Sequence, residues 1–317
     1  MLTGMRHVRL VLPIAVAVAA ATLAAQRAPE TAIPSTFFDS AQLLRDLKTL
    51  SADDMEGRQV GTAGGEKARA YVLARFKAAG LAPFNGSFTT SFTFTSGGRG
   101  NTPPVERTGV NVVGRIDGRV PSSRYLVVSA HYDHVGVRNG QVFNGADDNA
   151  SGTAALFAVA QYFRSHPTAH NMIVVAFDGE EAGLRGSQAF VANPPVPKDQ
   201  IAIDLNADMI GRDPDDKLFV VGTRTQPDLK PYIDRVAAKA KVKLLTGHET
   251  PGEKEDWTND SDHAAFRRAN IPALYFGVED FDQHHAATDD YDTMSHDFYV
   301  KAVETLILAI QEFDSIK

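Results

Sequence analysis

Four short apolar runs set the architecture of this chain: RYLVVSAHYD (124–133), NMIVVAFD (171–178), IAIDLNADMI (201–210) and IPALYFG (271–277). A strand that alternates apolar with polar residues buries one face, whereas a nearly continuous apolar run needs cover on both. Helical patterns supply that cover between the runs. DSAQLLRDLKTLS (39–51) carries apolar residues at helical spacing behind an Asp-Ser start, and AGGEKARAYVLARFKAAG (63–80) does the same and stops at Gly80. Further helices are expected over 150–164, 183–192, 228–240 and 262–269, with a last one from about Asp297. SFTTSFTFT (87–95), GVNVVGRI (109–116) and KLFVVG (217–222) add strands. The fold class that follows is α/β: a mixed, mostly parallel sheet sandwiched between helices. No internal repeat is visible, and nothing long enough for a second domain interrupts the series.

With 317 residues and a hydrophobic fraction of 43%, the chain can build one large core. Its formal net charge of -7, with no Lys/Arg run, excludes a nucleic-acid footprint. The N-terminus has Arg6 and Arg9, an apolar alanine-rich run from Leu10 to about Ala25, then Gln-Arg and Pro. That is the layout of a secretory signal peptide, and the run is short for a membrane span of about twenty residues. Residues 1–25 are therefore expected to be a signal peptide, 26–38 a linker and 39–317 a single domain. The protein is expected to be secreted or periplasmic, without a stable membrane anchor, and monomeric. There is no cysteine, so disulfides and thiolate metal ligands are excluded and any metal must be held by His and carboxylates.

In α/β sheets the chemistry sits on loops leaving the carboxyl ends of the strands. The polar oddities fall there. YLVVSA runs into His131, with Asp133 two residues on, where a carboxylate can fix the tautomer of a ligating imidazole. NMIVVAFD exits into Gly179-Glu180-Glu181; consecutive side chains diverge, so one glutamate can bind metal while the other faces a water as base. IAIDLNADMIGR carries Asp204 and Asp208, and EDFDQHHAATDDYD adds His284 and His285. VFNGADDNASGTAAL sets Asp147 and Asp148 side by side, one more carboxylate than a helix start needs. Taken singly, each has an ordinary explanation as a surface His, a helix-start acid or a polar loop. Their recurrence at successive strand ends of an otherwise apolar series points to a metal site of His and carboxylates, suited to zinc, with cobalt or manganese as substitutes.

Those residues lie in blocks that together resemble the secreted bacterial di-zinc aminopeptidases, whose wider family includes glutaminyl cyclases and glutamate carboxypeptidases. The blocks are MEGRQVGTAGGEKARAYVLARFKAAGLAP, AHYDHVG, NGADDNASGTAAL, FDGEEAGLRGS, NADMIGR, SDHAAF and HAATDDYD, in that order from about Asp39 onward. The resemblance implies a zinc-exopeptidase (phosphorylase/hydrolase-like) three-layer fold and two Zn(2+) per chain. It implies His131, Asp147, Glu181, Asp208 and His285 as ligands, with Asp147 bridging the ions and the peptide bond after it cis. Glu180 is implied as general base, with Asp133 and Asp148 supporting the ligands. Family members often place a Tyr before the last His ligand to stabilise the oxyanion; His284 stands there in this chain and could donate the same hydrogen bond.

The implied reaction is hydrolysis of N-terminal residues from a peptide substrate with a free N-terminus. A hydroxide held between two ions attacks while Glu180 moves the proton to the leaving amine. Two alternatives remain: a glutaminyl cyclase, or a non-catalytic binding protein on the same fold. Against the first, cyclases generally alter the second Asp of the pair; against the second, none of the expected ligands is missing.

Overall fold

A computed structural model describes Met1, 33–96, 104–252 and 255–316. The signal-peptide reading therefore lies outside the described residues, as does most of the expected linker. The compact unit begins at Ile33: Ile33, Phe37 and Phe38 pack against the core, and the Ser40 hydroxyl donates to the Ile33 carbonyl. Among the described residues no helix is long and apolar enough to cross a membrane.

The helices are α1 (Ser40–Leu50), α2 (Ala63–Ala78), α3 (Gly152–Ser165), α4 (Arg185–Ala192), α5 (Lys230–Ala237), α6 (His263–Arg268) and α7 (His296–Phe313). The strands are β1 (Thr89–Ser96), β2 (Val105–Ile116), β3 (Tyr125–His131), β4 (Val137–Arg138), β5 (Gln141–Val142), β6 (Asn171–Phe177), β7 (Ile201–Ala207), β8 (Lys217–Val221), β9 (Lys243–Thr246) and β10 (Ala273–Gly277). Local chemistry explains the helix starts. Asp39 accepts from the Gln42 N–H to cap α1, and Thr62 accepts from the Gly65 N–H to cap α2. α1 turns Leu43, Leu44, Leu47 and Leu50 to one side, the spacing read from the sequence.

Eight strands form one sheet in the order β1-β2-β6-β3-β7-β10-β8-β9, and β4 and β5 form a separate hairpin. Its centre, β6-β3-β7-β10, is parallel; β1, β2 and β8 pair antiparallel to their inner neighbours. The central strands are buried on both faces. Leu126 and Val128 of β3, with Met172, Val174 and Ala176 of β6, join the larger core under α1, α2, α3 and α7. Val127, Ile173, Val175 and Phe177 face the opposite way and pack with Phe190 of α4 and Phe266 of α6. Helices on both faces of a mixed sheet with a parallel centre are the expected fold. β9 was not anticipated, being four residues long with three of them exposed.

The four parallel strands end together, delivering His131, the 178–181 turn, Asp208 and the loop after Gly277 to one edge of the sheet.

Candidate metal centre

At that edge two groups of potential ligand atoms share one carboxylate. His131, Asp148 and Asp208 form one; His134, Asp148, Glu181 and His285 form the other, with the ligand atoms of each group within 4.8 Å of one another. In the first, His131 Nε2 lies 3.1 Å from Asp208 Oδ1 and 3.4 Å from Asp148 Oδ1. In the second, His285 Nε2 lies 2.7 Å from Glu181 Oε2 and 3.3 Å from Asp148 Oδ2, while His134 Nδ1 lies 2.8 Å from Glu181 Oε1. Asp148 thus points one oxygen at each group, and its Oδ2 is buried without a hydrogen bond among the described residues.

This corrects two expectations about the aspartate doublet. Asp148, not Asp147, stands between the two groups, and the cis peptide bond joins Asp148 to Asn149 rather than Asp147 to Asp148. Asp147 points away: its Oδ1 accepts from the Gly211 N–H at 2.7 Å. Burial and the charge of Asp289 hold its carboxyl well above the ordinary range, with Arg212 opposing. Adjacent carboxylates must diverge, and which one faces the centre is decided by how the loop is clamped. Asp289 accepts from the N–H groups of both Asp147 and Asp148. Arg58, fully buried, donates to the carbonyls of Leu50, Tyr132, Asn144, Gly145 and Asp148. Burial brings that guanidinium down to about 10, against the opposing charge of Asp148, so it stays charged at neutral pH. Asn149 completes the stitching, donating to the Ala207 carbonyl and accepting from the Gly152 N–H.

The remaining site residues fall where the strand ends put them. Asp133 is fully buried beside His131, whose Nδ1 lies 3.1 Å from the Asp133 carbonyl and 3.7 Å from its carboxylate; the backbone oxygen is the nearer partner. Asp133 also accepts from the Glu180 N–H at 3.0 Å, tying the 178–181 turn to the His131 strand end. Glu180 reaches to 4.0 Å from His131 Nε2 and lines the cleft. Ser261 donates to Asp208 Oδ2 and accepts from the Asn206 side chain. His284 is half exposed at the rim, its Nε2 3.8 Å from Asp148 Oδ2, and does not enter either group.

The charges are tightly balanced. Burial would lower the His131 imidazole, but Asp208 and Glu180 outweigh it and hold it well above its usual value. The carboxylates of Asp148 and Glu181 close to its Nε2 push His285 up to about 10. Burial would raise Glu181, yet its bonds to His134 and His285 hold it well below the ordinary range. Glu180 has the opposite fate: burial, with Asp208 and Glu181 close by, pushes it well above, and His131 only partly counters. A cluster of buried carboxylates and imidazoles whose stability depends on shared positive charge, containing an orphaned oxygen on its shared member, fits divalent cations. Only N and O donors are present, as zinc, cobalt or manganese accept.

The centre opens on a cleft of about 480 Å³ whose apolar wall includes Leu184, Trp257, Tyr275, Val278 and Phe281. Trp257 stacks on His248 and meets Phe281 edge-on, so the DWTND segment is part of the cleft wall rather than a free surface turn. His134, Arg58, Asp289 and Ser261 lie within or beside the sequence blocks above, but nothing local in those blocks assigns them a role.

Comparison with known proteins is consistent with this geometry. The model of Peptidase family M28 matches residues 111–310. Leupeptin-inactivating enzyme 1 of Streptomyces exfoliatus is 32% identical over 84% of this chain and 54% of its own length. The alkaline phosphatase isozyme conversion protein of Escherichia coli K12 is 24% identical over 69% of this chain and 66% of its own. The chain thus spans less than two thirds of these relatives. Among solved structures, the zinc aminopeptidase BSAP of Bacillus subtilis superposes with a TM-score of 0.69 at 18% identity, covering 90% of this chain and 96% of its own. A glutaminyl cyclase of Fimbriiglobus ruber also reaches 0.69, at 21% identity, covering 90% and 99%. At such identities these two show the fold, and the family match over most of the sheet carries the assignment: the chain belongs to peptidase family M28.

Proposed function

We propose that this protein is a metal-dependent aminopeptidase that removes N-terminal residues from peptides, using two divalent cations of the zinc class and Glu180 as general base. The observation that carries the reading is the Asp148 carboxylate, whose two oxygens face two separate His/carboxylate groups at the mouth of one cleft. His131, Asp148 and Asp208 would hold one cation; Asp148, Glu181 and His285 the other. When bound, the cations would polarise the scissile carbonyl and acidify a water.

The chain's own groups account for the rest. Glu180 sits on the cleft side of the centre, and its raised affinity for protons suits a group that takes a proton from water and passes it to the leaving amine. The cleft wall of Trp257, Tyr275 and Phe281 gives the first side chain an apolar surface, and the acidic mouth favours a positively charged N-terminus. His284, at the rim, offers an imidazole N–H to the oxyanion. The leader read from the sequence would send the enzyme out of the cytoplasm, where peptides are its substrates.

The test uses purified protein loaded with zinc and offered leucyl anilide, its N-acetylated copy and a glutaminyl anilide, with products weighed. Cleavage of the free leucyl substrate alone is expected. Cleavage of the blocked copy would refute an exopeptidase reading, and loss of ammonia from the glutaminyl substrate without anilide release would establish the cyclase instead. Glu180→Gln should bind both cations and turn over about 10²- to 10⁴-fold more slowly; unchanged turnover would remove Glu180 from the base role.

A further inference from the structure

His134 is the member of the second donor group that the proposed ligand set leaves unused. Its ring is fully buried. Nδ1 lies 2.8 Å from Glu181 Oε1 and 3.5 Å from Asp148 Oδ2, and Nε2 is buried with no hydrogen-bond partner among the described residues. The ring is seated firmly: Gly145 has φ +56°, and a Cβ there would come within 2.5–2.6 Å of His134 Cδ2 and Cγ. The loop that carries Asp148 is therefore built around this imidazole.

The two nitrogens decide what it does. A neutral imidazole has one N–H and one lone pair. A ligating Nδ1 must give up its proton, which then sits on Nε2, where none of the described residues offers an acceptor; a buried orphan donor of that kind is among the costlier defects in a folded interior. With the proton on Nδ1, the contact to the Glu181 carboxylate becomes a charge-assisted hydrogen bond, and Nε2 keeps only a lone pair, the cheaper group to leave unpaired. His285 differs in the respect that matters. Its side chain is 39% exposed, so it can coordinate through Nε2 without burying an unmet N–H elsewhere on the ring.

We infer that His134 is a positioning residue for the metal centre: its Nδ1–H fixes Glu181 Oε1, leaving Oε2 as the one oxygen of Glu181 free to face a cation shared with Asp148 and His285. The inference rests on the two-cation reading above. It predicts a centre in which one glutamate is held one-handed by a donor that never touches the metal.

The experiment compares His134→Asn with His134→Ala by competitive chelator titration with zinc and by visible absorption of the cobalt-loaded proteins. An asparagine amide nitrogen takes the place of imidazole Nδ1 and donates a hydrogen bond, but it is a poor zinc ligand. His134→Asn should keep the affinity for the second cation within about threefold and keep the cobalt spectrum, while His134→Ala should lose about 10- to 100-fold in that affinity alone. Asparagine behaving like alanine with an altered cobalt spectrum would make His134 a ligand and overturn the inference, as would alanine behaving like wild type. A measurement on the unmutated, zinc-loaded protein stands apart from any folding defect: with ¹⁵N-labelled histidine, His134 should show a proton on Nδ1, and a proton on Nε2 instead would overturn the assignment. Wild-type protein that takes up fewer than two cations would refute the two-cation reading, which is a separate outcome.

Discussion

The two donor groups share Asp148 and otherwise differ in how they are held. His131 and Asp208 stand on the ends of β3 and β7, deep in the sheet, and Asp208 is gripped by Ser261, itself bonded to Asn206 of β7. His131 is 1% exposed. Glu181 and His285 instead sit on loops after β6 and β10, and His285 is 39% exposed. A sheet-borne group is organised before a cation arrives; a loop-borne one must have its loop held in place for it. Arg58 and Asp289 clamp the loop of the shared Asp148, and His134 holds Glu181 on the side where the strands alone do not suffice.

The sharpest way to break the comparison is to remove what the groups share. Asp148→Asn should leave a protein that retains neither cation after dialysis against buffer, with turnover at background. Asp147→Asn should retain both, because the bond that this side chain accepts from the Gly211 N–H is one an amide oxygen can also make. Metal analysis of the two purified variants checks this, and equal metal loss from both would return the bridging role to Asp147. Next in size is removal of one side only. His285→Ala should keep one cation at wild-type affinity, held by the sheet-borne group. Graded chelation of the wild-type protein should likewise give a one-cation form first, with the loop-borne position about tenfold or more weaker. If the cation on the His131 side left first, strand anchoring would not be what distinguishes the groups.

The fold and the gathering of His and carboxylate side chains at the strand ends were legible in the sequence for the same reason. Continuous apolar runs mark central strands, and polar residues that follow them stand out against that background: His131, Glu180, Glu181 and Asp208 all lie at or just after such a run. Asp148 was misplaced because its loop lies on no strand. Its orientation comes from Asp289, more than 130 residues downstream, and from Arg58, far upstream, and no local spacing encodes those contacts. The role of His134 in AHYDHVG is not legible locally, since no strand-alternation rule turns a second His beside Asp133 inward. Short β9 was hidden because only Leu244 in it is even partly buried.

A buried acid on the same strand end supplies a control with the smallest effect on the centre. Asp178 closes β6 two residues before Glu180 but faces β2, where its Oδ2 accepts from the Val110 N–H at 2.8 Å. Burial, reinforced by the charge of Asp133, raises its carboxyl from 3.8 to about 7. The folded protein therefore holds a proton between about pH 4 and 7 that the unfolded chain has released. Stability from this group is full below pH 4 and is lost as pH rises through about 7. Asp178→Asn removes the titration, so the variant should gain on the wild type across that window, by about 2–4 kcal/mol in unfolding free energy between pH 4 and pH 8. Cation content and the relative strength of the two positions should not move. Denaturant melts at several pH values, paired with metal analysis, check both halves. A flat difference across the window would mean that Asp178 is ionised in the fold, and a changed cation content would mean that this end of β6 belongs to the centre after all.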